Sequence, residues 1–406
     1  MLRTDEKDPQ LIGQRLAQAR KARGMTQDEA ANQLGVSRPT LSATEKGKRP
    51  PKPEELVRLA ELYGRSVHDL VGRKARAVEL APHLRAALRK CAEAENEVDD
   101  AIKKFESLAD DYRELQQLLG AEPVYSYPPQ VSLPDRARQV DEFAEDVAER
   151  ERKRLAVGDQ PILGLRRVLE DSVGLKVFCT GIPSHIAGMY AYVEDLGCLV
   201  LMNRKHPQER QRWTLSHEYG HFLLDRHRPG VDYTREKKRK PANERFCDAF
   251  AANFLLPRSA VRSRFYDIKR STNDFRVADL CQLSSDFAVS VHAMARRLEA
   301  LNLIDKGSWR FLQEKGFQPT KAKEELEIGP TQVESQDMYP QRYKYLAVTA
   351  FCEEKITETE LARFLRTDRV SARGIVRKCV HRLELTEEGG EGVMRLPFEK
   401  SLLKTD

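Results

Sequence analysis

Arg212-Trp213-Thr214-Leu215-Ser216-His217-Glu218-Tyr219-Gly220-His221-Phe222-Leu223-Leu224 decides the reading of this chain. The stretch reads as one helix. At about 100° per residue, His217 and His221 stand one turn apart on one face. Both imidazoles can therefore bind one Zn2+. Glu218 lies beside them, placed to take a proton from a metal-activated water. The pattern is only five residues long, so a third ligand has to come from elsewhere.

The next helix offers one. Glu244-Arg245-Phe246-Cys247-Asp248 puts two carboxylates one turn apart, 23 residues after His221. Glu244 would complete a His2Glu set and leave the fourth position to water. Asp248 can accept a ring N–H from one histidine and fix its tautomer. A solvated helical face is the alternative for this pair. The apolar run Phe246, Ala249, Phe250 and Phe254 weighs against it by burying the neighbouring side.

These residues resemble the ImmA/IrrE family of metallopeptidases, with a gluzincin-like α+β fold. The resemblance runs over 188–257. It includes Tyr192-Val193-Glu194-Asp195-Leu196-Gly197, His206-Pro207-Gln208-Glu209-Arg210-Gln211-Arg212, the histidine helix itself, and Phe250-Ala251-Ala252-Asn253-Phe254-Leu255-Leu256-Pro257. It implies zinc ligands at His217, His221 and Glu244, and a catalytic Glu218. Cys247 departs from the family, which usually has Ala there. A packing role and a thiolate role both stay open for it. Residues 287–304 and 339–365 also resemble the helical tail of longer members.

The amino-terminal 74 residues read as five short helices. Ile12, Leu16 and Ala19 share one face of the first, and Gly24 stops it. Thr26-Gln27-Asp28-Glu29 is a capping box that opens a second helix. Gly35 breaks that helix after two turns. Ser37 caps the third, over 38–45, and Pro53 opens the fourth. Two short helices around a tight turn make a helix-turn-helix, whose second helix can enter the major groove. Its candidate DNA-binding residues are Gln27, Ser37, Arg38, Thr40, Ser42, Lys46 and Lys48. Leu41 would be core, and Ala43 would face the groove. Residues 1–74 hold 15 Lys/Arg and 10 Asp/Glu, so +5 of the chain's +6 sits there.

Leu11 to Gly72 resembles the XRE/Cro/CI-type helix-turn-helix family. The likeness rests on Arg15-Leu16, Ala19-Arg20, Met25-Thr26-Gln27-Asp28-Glu29-Ala30, Leu34-Gly35-Val36-Ser37, Leu41-Ser42, Glu45 and Gly47. Thr44 departs from it, since the family usually has a large apolar residue there.

Between the two regions, 82–120 reads as one long helix. Leu84, Cys91, Val98, Phe105, Tyr112 and Leu119 recur every seven residues, and Ala87, Ala94, Ala101, Leu108 and Leu115 follow three later. That is an a/d seam over five heptads. It serves either a dimeric coiled coil or packing within the chain. The dimer is the expectation carried forward, because helix-turn-helix modules usually act as pairs. Proline-rich residues 121–134 form a linker. A charged helix over 136–155, another over 163–173, a strand at 175–179 and a hairpin over 188–202 follow. That hairpin can offer an edge strand to an extended peptide. Tyr190 and Tyr192 read as core aromatics, with stabilisation of an oxyanion as the alternative, and His206, His227 and His292 read as structural. The basic run 235–240 falls between the second and third candidate ligands; it reads as a solvated loop, with attraction of nucleic acid or an acidic substrate as the alternative. The tail from about 340 is helical, with Thr357 capping one helix. No long internal repeat is apparent.

Composition bounds the rest. The 406 residues are 40% hydrophobic and 33% charged, with mean hydropathy −0.61. No apolar run approaches a membrane span. The first residues lack a signal peptide's apolar core. Seven scattered cysteines, never spaced Cys-x-x-Cys, fit reduced thiols in the cytoplasm.

The expectation is a mostly α, multidomain chain. It has a helix-turn-helix at 1–74, a long helix at 82–120, a linker at 121–134, a zinc metallopeptidase domain with a small sheet at 135–307, and helices over 308–406. The family likeness implies a DNA-binding regulator carrying a zinc endopeptidase. Its expected partners are an operator DNA, a protein substrate such as a helix-turn-helix repressor, and a second copy of the chain. The alternative is a non-proteolytic repressor or antitoxin-like protein, whose zinc domain is a sensor or scaffold.

Overall fold

The computed structural model describes residues 9–63, 95–121, 127–136, 139–227, 230–233, 241–329, 337–380, 382–385 and 391–394. The chain divides into two compact units, 1–77 and 78–406.

The first unit contains α1 (Pro9–Ala22), α2 (Gln27–Leu34), α3 (Arg38–Glu45) and α4 (Pro53–Tyr63). Local chemistry sets their ends. Thr26 and Glu29 form the reciprocal capping box, Gly35 ends α2 at φ 69°, and the Ser37 side chain caps Thr40 N–H of α3. Ile12, Leu16, Ala30, Ala31, Leu41, Leu59 and Tyr63 close a small core. Gly13 matters to that core. A Cβ there would stand 2.5 Å from the carbonyl oxygens of Thr44 and Glu45, so only glycine lets α1 lie on the end of α3. Thr44, the departure from the family pattern, is buried with its hydroxyl donating to the Thr40 carbonyl. The expected fifth helix lies outside the described residues.

The second unit is built on a four-stranded sheet, ordered β1-β3-β2-β4. The strands are β1 (Lys176–Thr180), β2 (Ile186–Val193), β3 (Gly197–Asn203) and β4 (Gly230–Tyr233). β1 runs parallel to β3, while β2 is antiparallel to both β3 and β4. The first three strands are buried on both faces, which is why they read as near-continuous apolar runs. The expected edge position of the 188–202 hairpin is therefore corrected. β4, absent from the sequence reading, pairs along β2, so the edges of this sheet are β1 and β4.

One face, with Val177, Cys179, Tyr190, Cys198, Val200 and Met202, packs in the larger core. That core takes in α6 (Val140–Arg154), α7 (Leu165–Ser172), α8 (Gln208–Asp225), α9 (Ala242–Leu255), α10 (Arg258–Thr272), α11 (Val277–Asp286) and α12 (Val291–Ala300). Two short helices, α13 (Ser308–Glu314) and α14 (Pro319–Glu325), add Trp309, Leu312 and Ala322 at its margin. The linker is docked over its described part: the Cys198 N–H donates to Tyr127 Oη at 3.0 Å, and the Val131 N–H donates to the Leu223 carbonyl.

The other face, with Phe178, Met189, Ala191, Leu199 and Leu201, is covered by α5 (Glu95–Leu119), α15 (Gln341–Cys352) and α16 (Glu358–Phe364). This corrects the seam expected at 82–120. Val98, Ala101, Phe105, Leu108, Tyr112 and Leu115 are buried within the chain, and Tyr112 meets the rings of Phe178 and Tyr343. The reason is the stripe's width. The e positions Ile102, Ala109 and Gln116 are buried too, giving the three-in-seven face of a helix laid on a core, not the two-in-seven seam of a coiled coil. Residues 82–94 lie outside the described part. The tail is also corrected. After α17 (Arg369–Val380) it forms a hairpin of β5 (Arg382–Leu385) and β6 (Glu391–Met394).

Candidate metal centre and nucleic-acid interface

α8 is held firmly along its length. Arg212 is almost fully buried and donates to the carbonyls of Ala288 (3.0 Å) and Ile162 (2.7 Å). Two turns on, Tyr219 Oη donates to Glu151 at 2.5 Å, and Arg154 donates to both. These contacts fix the rotation of the helix, and hence where its histidines point. None of them was read from sequence, because each partner is distant in the chain.

His217 and His221 bring their Nε2 atoms within 3.1 Å of one another. α9 supplies Glu244, whose carboxylate oxygens lie 3.4 Å from Nε2 of His217 and 3.7 Å from Nε2 of His221. A tetrahedral ion with donors at about 2.0–2.1 Å spaces those donors about 3.3–3.4 Å apart. The three side chains fit such an ion. The hydrogen bonds from His217 and His221 hold the Glu244 carboxyl well below the usual carboxylate range. Asp248 Oδ1 stands 3.1 Å from Nδ1 of His217. With an ion bound between the three side chains, Nε2 of His217 would give up its proton to become a ligand, and the proton on Nδ1 would be held by Asp248.

Glu218, next to His217 on α8, is 1% exposed and has a carboxylate oxygen close to β2 of the sheet. A Cβ on Gly188 of β2 would stand 2.9 Å from Thr214 and 3.8 Å from a Glu218 carboxylate oxygen. The glycine thus lets the strand close over α8 beside Glu218. A glycine inside an otherwise apolar strand is the sequence signal for such an approach.

Cys247 adds an ambiguity. Its thiol, with His217 and His221, forms a donor set whose atoms lie within 4.8 Å of one another. It also fills a packing role. A Cβ on Gly220 would stand 3.2 Å from its Sγ, so glycine on α8 and cysteine on α9 are matched in size.

The other singled-out residues take quieter places. Tyr190 is buried with its hydroxyl donating to the Arg226 carbonyl, and burial pushes its pKa well up. His206 contacts the Ser184 carbonyl, His227 packs on Tyr192, and His292 stacks on Trp309. The basic run 235–240 lies outside the described residues.

In the first unit, α3 exposes Arg38, Lys46 and Lys48 at or just beyond its ends, with Thr40 and Ser42 half-buried. Ser37 and Thr40 share a hydrogen bond at 2.8 Å. Gln27 donates one amide N–H to Glu45, which also receives the buried Arg20 guanidinium at 2.6 Å. Glu45 therefore ties the starts of α2 and α3's end to α1.

Comparison with known proteins agrees with both halves. Residues 11–71 match the family model of a helix-turn-helix domain, and residues 170–299 match that of the IrrE N-terminal-like domain. The HTH-type transcriptional regulator ImmR of Bacillus subtilis (strain 168) is 39% identical over 62 residues, 15% of this chain and 49% of the relative. The chain thus spans about half the length of that curated relative. The crystal structure of ComR from Streptococcus suis aligns over 92% of this chain and 89% of its own, at 12% identity and a TM-score of 0.16, too low to bear on the fold. No helix among the described residues is long and apolar enough to cross a membrane.

Proposed function

We propose, for a chain that joins an XRE-type helix-turn-helix domain to an IrrE N-terminal-like domain, a transcriptional regulator carrying a zinc-dependent endopeptidase at 135–307. The observation that carries this reading is the convergence of His217, His221 and Glu244, with Asp248 behind His217. Bound there, zinc would supply Lewis-acid polarisation of a peptide carbonyl and a more acidic water. His217, His221 and Glu244 are its proposed ligands. Glu218 is the proposed general base, taking a proton from the attacking water and returning it to the leaving amine. A structural site needs no such base. The substrate is a protein, in our reading a helix-turn-helix repressor, and the setting is stress, phage-defence or mobile-element control.

The amino-terminal unit is proposed to hold operator DNA, with Arg38, Thr40 and Ser42 toward base edges and Lys46, Lys48, Ser37 and Gln27 toward phosphates. Pairing of two chains on half-sites needs a surface other than the buried face of α5.

One observation favours a second reading. If Cys247 joined both histidines and Glu244, four protein donors would close the coordination sphere, as in structural sites. The domain would then be a sensor or scaffold, and the chain a non-proteolytic repressor. Co-expression with a neighbouring helix-turn-helix protein tests the first reading. That protein should shorten with the wild-type chain and stay intact with Glu218→Gln. Equal shortening by both rules Glu218 out, and no shortening by either favours the sensor.

A further inference from the structure

The carboxyl-terminal helices repeat the geometry of the amino-terminal reader. Set 331 positions apart, residues 26–45 and 357–376 align without a gap, and five of the 20 pairs are identical: Thr26/Thr357, Glu29/Glu360, Ala31/Ala362, Leu34/Leu365 and Arg38/Arg369. The match goes deeper than identity. Thr357 and Glu360 form the same reciprocal capping box as Thr26 and Glu29. Arg366 adopts the left-handed conformation, φ 44°, at the position of Gly35, φ 69°. Asp368 caps the second helix by accepting the Ser371 N–H at 2.9 Å, as Ser37 accepts that of Thr40. Even the turn's hydrogen bonds correspond: Val36 N–H to the Ala31 carbonyl and Thr367 N–H to the Ala362 carbonyl, both 3.0 Å.

Burial follows the same register. Ala30, Ala31, Leu34 and Leu41 are buried in the first copy, and Leu361, Ala362, Leu365 and Ala372 in the second. α15 packs across α16 as the preceding helix, and the β5–β6 hairpin follows α17 directly. Arg366 is the notable member. A non-glycine residue in the left-handed region is uncommon, and it persists here where the turn geometry demands it.

The exposed side of α17 is basic. The helix carries Arg369, Arg373, Arg377 and Lys378 and no acidic residue. Arg369, Arg373 and Arg377 recur every fourth position, along one face, and all three are exposed. Val370, at the helix start, is 77% exposed. Arg373 meets Glu358 at 2.7 Å on the surface, and such a pair is weak enough in water to yield to phosphate.

We propose that 357–380, with its hairpin, is a second helix-turn-helix that binds double-stranded DNA, with α17 as the helix presented to the groove. It gives one chain two DNA-binding modules, each with its own contribution to affinity. The inference does not depend on the peptidase.

The test is binding of the full chain to a mixed-sequence duplex of about 40 base pairs across a salt series, by fluorescence anisotropy. Arg369→Ala/Arg373→Ala/Arg377→Ala should flatten the log–log salt slope by about 2–3 and lower low-salt affinity at least about tenfold. The replaced groups are exposed, so the melting profile should hold. Arg38→Ala/Lys46→Ala/Lys48→Ala reports the amino-terminal reader separately, which keeps failure of one module distinct from failure of the other. Val370→benzoylphenylalanine, irradiated with the duplex, should yield a protein–DNA crosslink. An unchanged salt slope in the carboxyl-terminal variant, or photoproducts at position 370 that contain only protein, would overturn the proposal.

Discussion

Asp248 Oδ1 lies 3.1 Å from Nδ1 of His217, across the gap between two helices joined by more than a dozen residues. A carboxylate in that position keeps the imidazole proton on Nδ1 and raises the basicity of Nε2. Asp248→Ala should therefore weaken zinc binding about 10–100-fold while leaving the helices intact. Competition with a chromogenic chelator measures it. An unchanged affinity would mean that Asp248 does not orient His217.

Glu218→Gln keeps volume and removes the base. Zinc content should stay the same, and cleavage of a substrate should fall by about 10²–10⁴-fold. Metal analysis and a cleavage time course on the same preparation check both halves. A variant that loses its metal as well would make Glu218 a structural residue.

Gly13 tests the first unit. The 2.5 Å contacts that a Cβ would make with two backbone carbonyls cannot be relieved by a side-chain rotation. Gly13→Ala should cost about 2–3 kcal/mol despite alanine's better helix propensity. That moves the unfolding transition of a unit this size down by at least about 8 °C. Calorimetry that shows no low-temperature shift would place α1 farther from α3.

Lys176 gives the second unit a pH dependence. Burial beside the Tyr112 ring pushes its ammonium pKa down to about 8. Below pH 8 the folded and unfolded chains both keep the proton, and the buried charge is fully penalised. Between pH 8 and the ordinary lysine value the unfolded chain binds more protons, so stability from this group rises with pH. Lys176→Met should be more stable than wild type at pH 7, and its advantage should shrink as pH approaches 10. Denaturant titrations at pH 7, 8.5 and 10 read this directly. A gap independent of pH would assign the effect to packing alone.

The parts of the fold that were legible in sequence are those set by local chemistry. Thr26 with Glu29, Gly35 and Ser37 mark helix ends through bonds that span three residues. His217 and His221 are placed on one face by helix periodicity alone. What escaped depends on distant partners. β4 is a four-residue strand whose only signal is its pairing with β2. The a/d seam of α5 looks the same facing a helix or a sheet, and Ile102 and Ala109, apolar at e, carried the distinction. The second helix-turn-helix was hidden because Arg366 and Ala372 stand where glycine and leucine announce the first. Arg212 and Tyr219 orient the histidines through Ala288, Ile162 and Glu151, none of which proximity in sequence could suggest.

The most direct test of the proposed peptidase is the zinc X-ray absorption spectrum of the purified full-length chain. The expected first shell contains only nitrogen and oxygen at about 2.0–2.2 Å, with two imidazoles, one carboxylate and one exchangeable water. A sulfur scatterer at about 2.3 Å would place the Cys247 thiolate on the metal, close the coordination sphere, and contradict a catalytic centre.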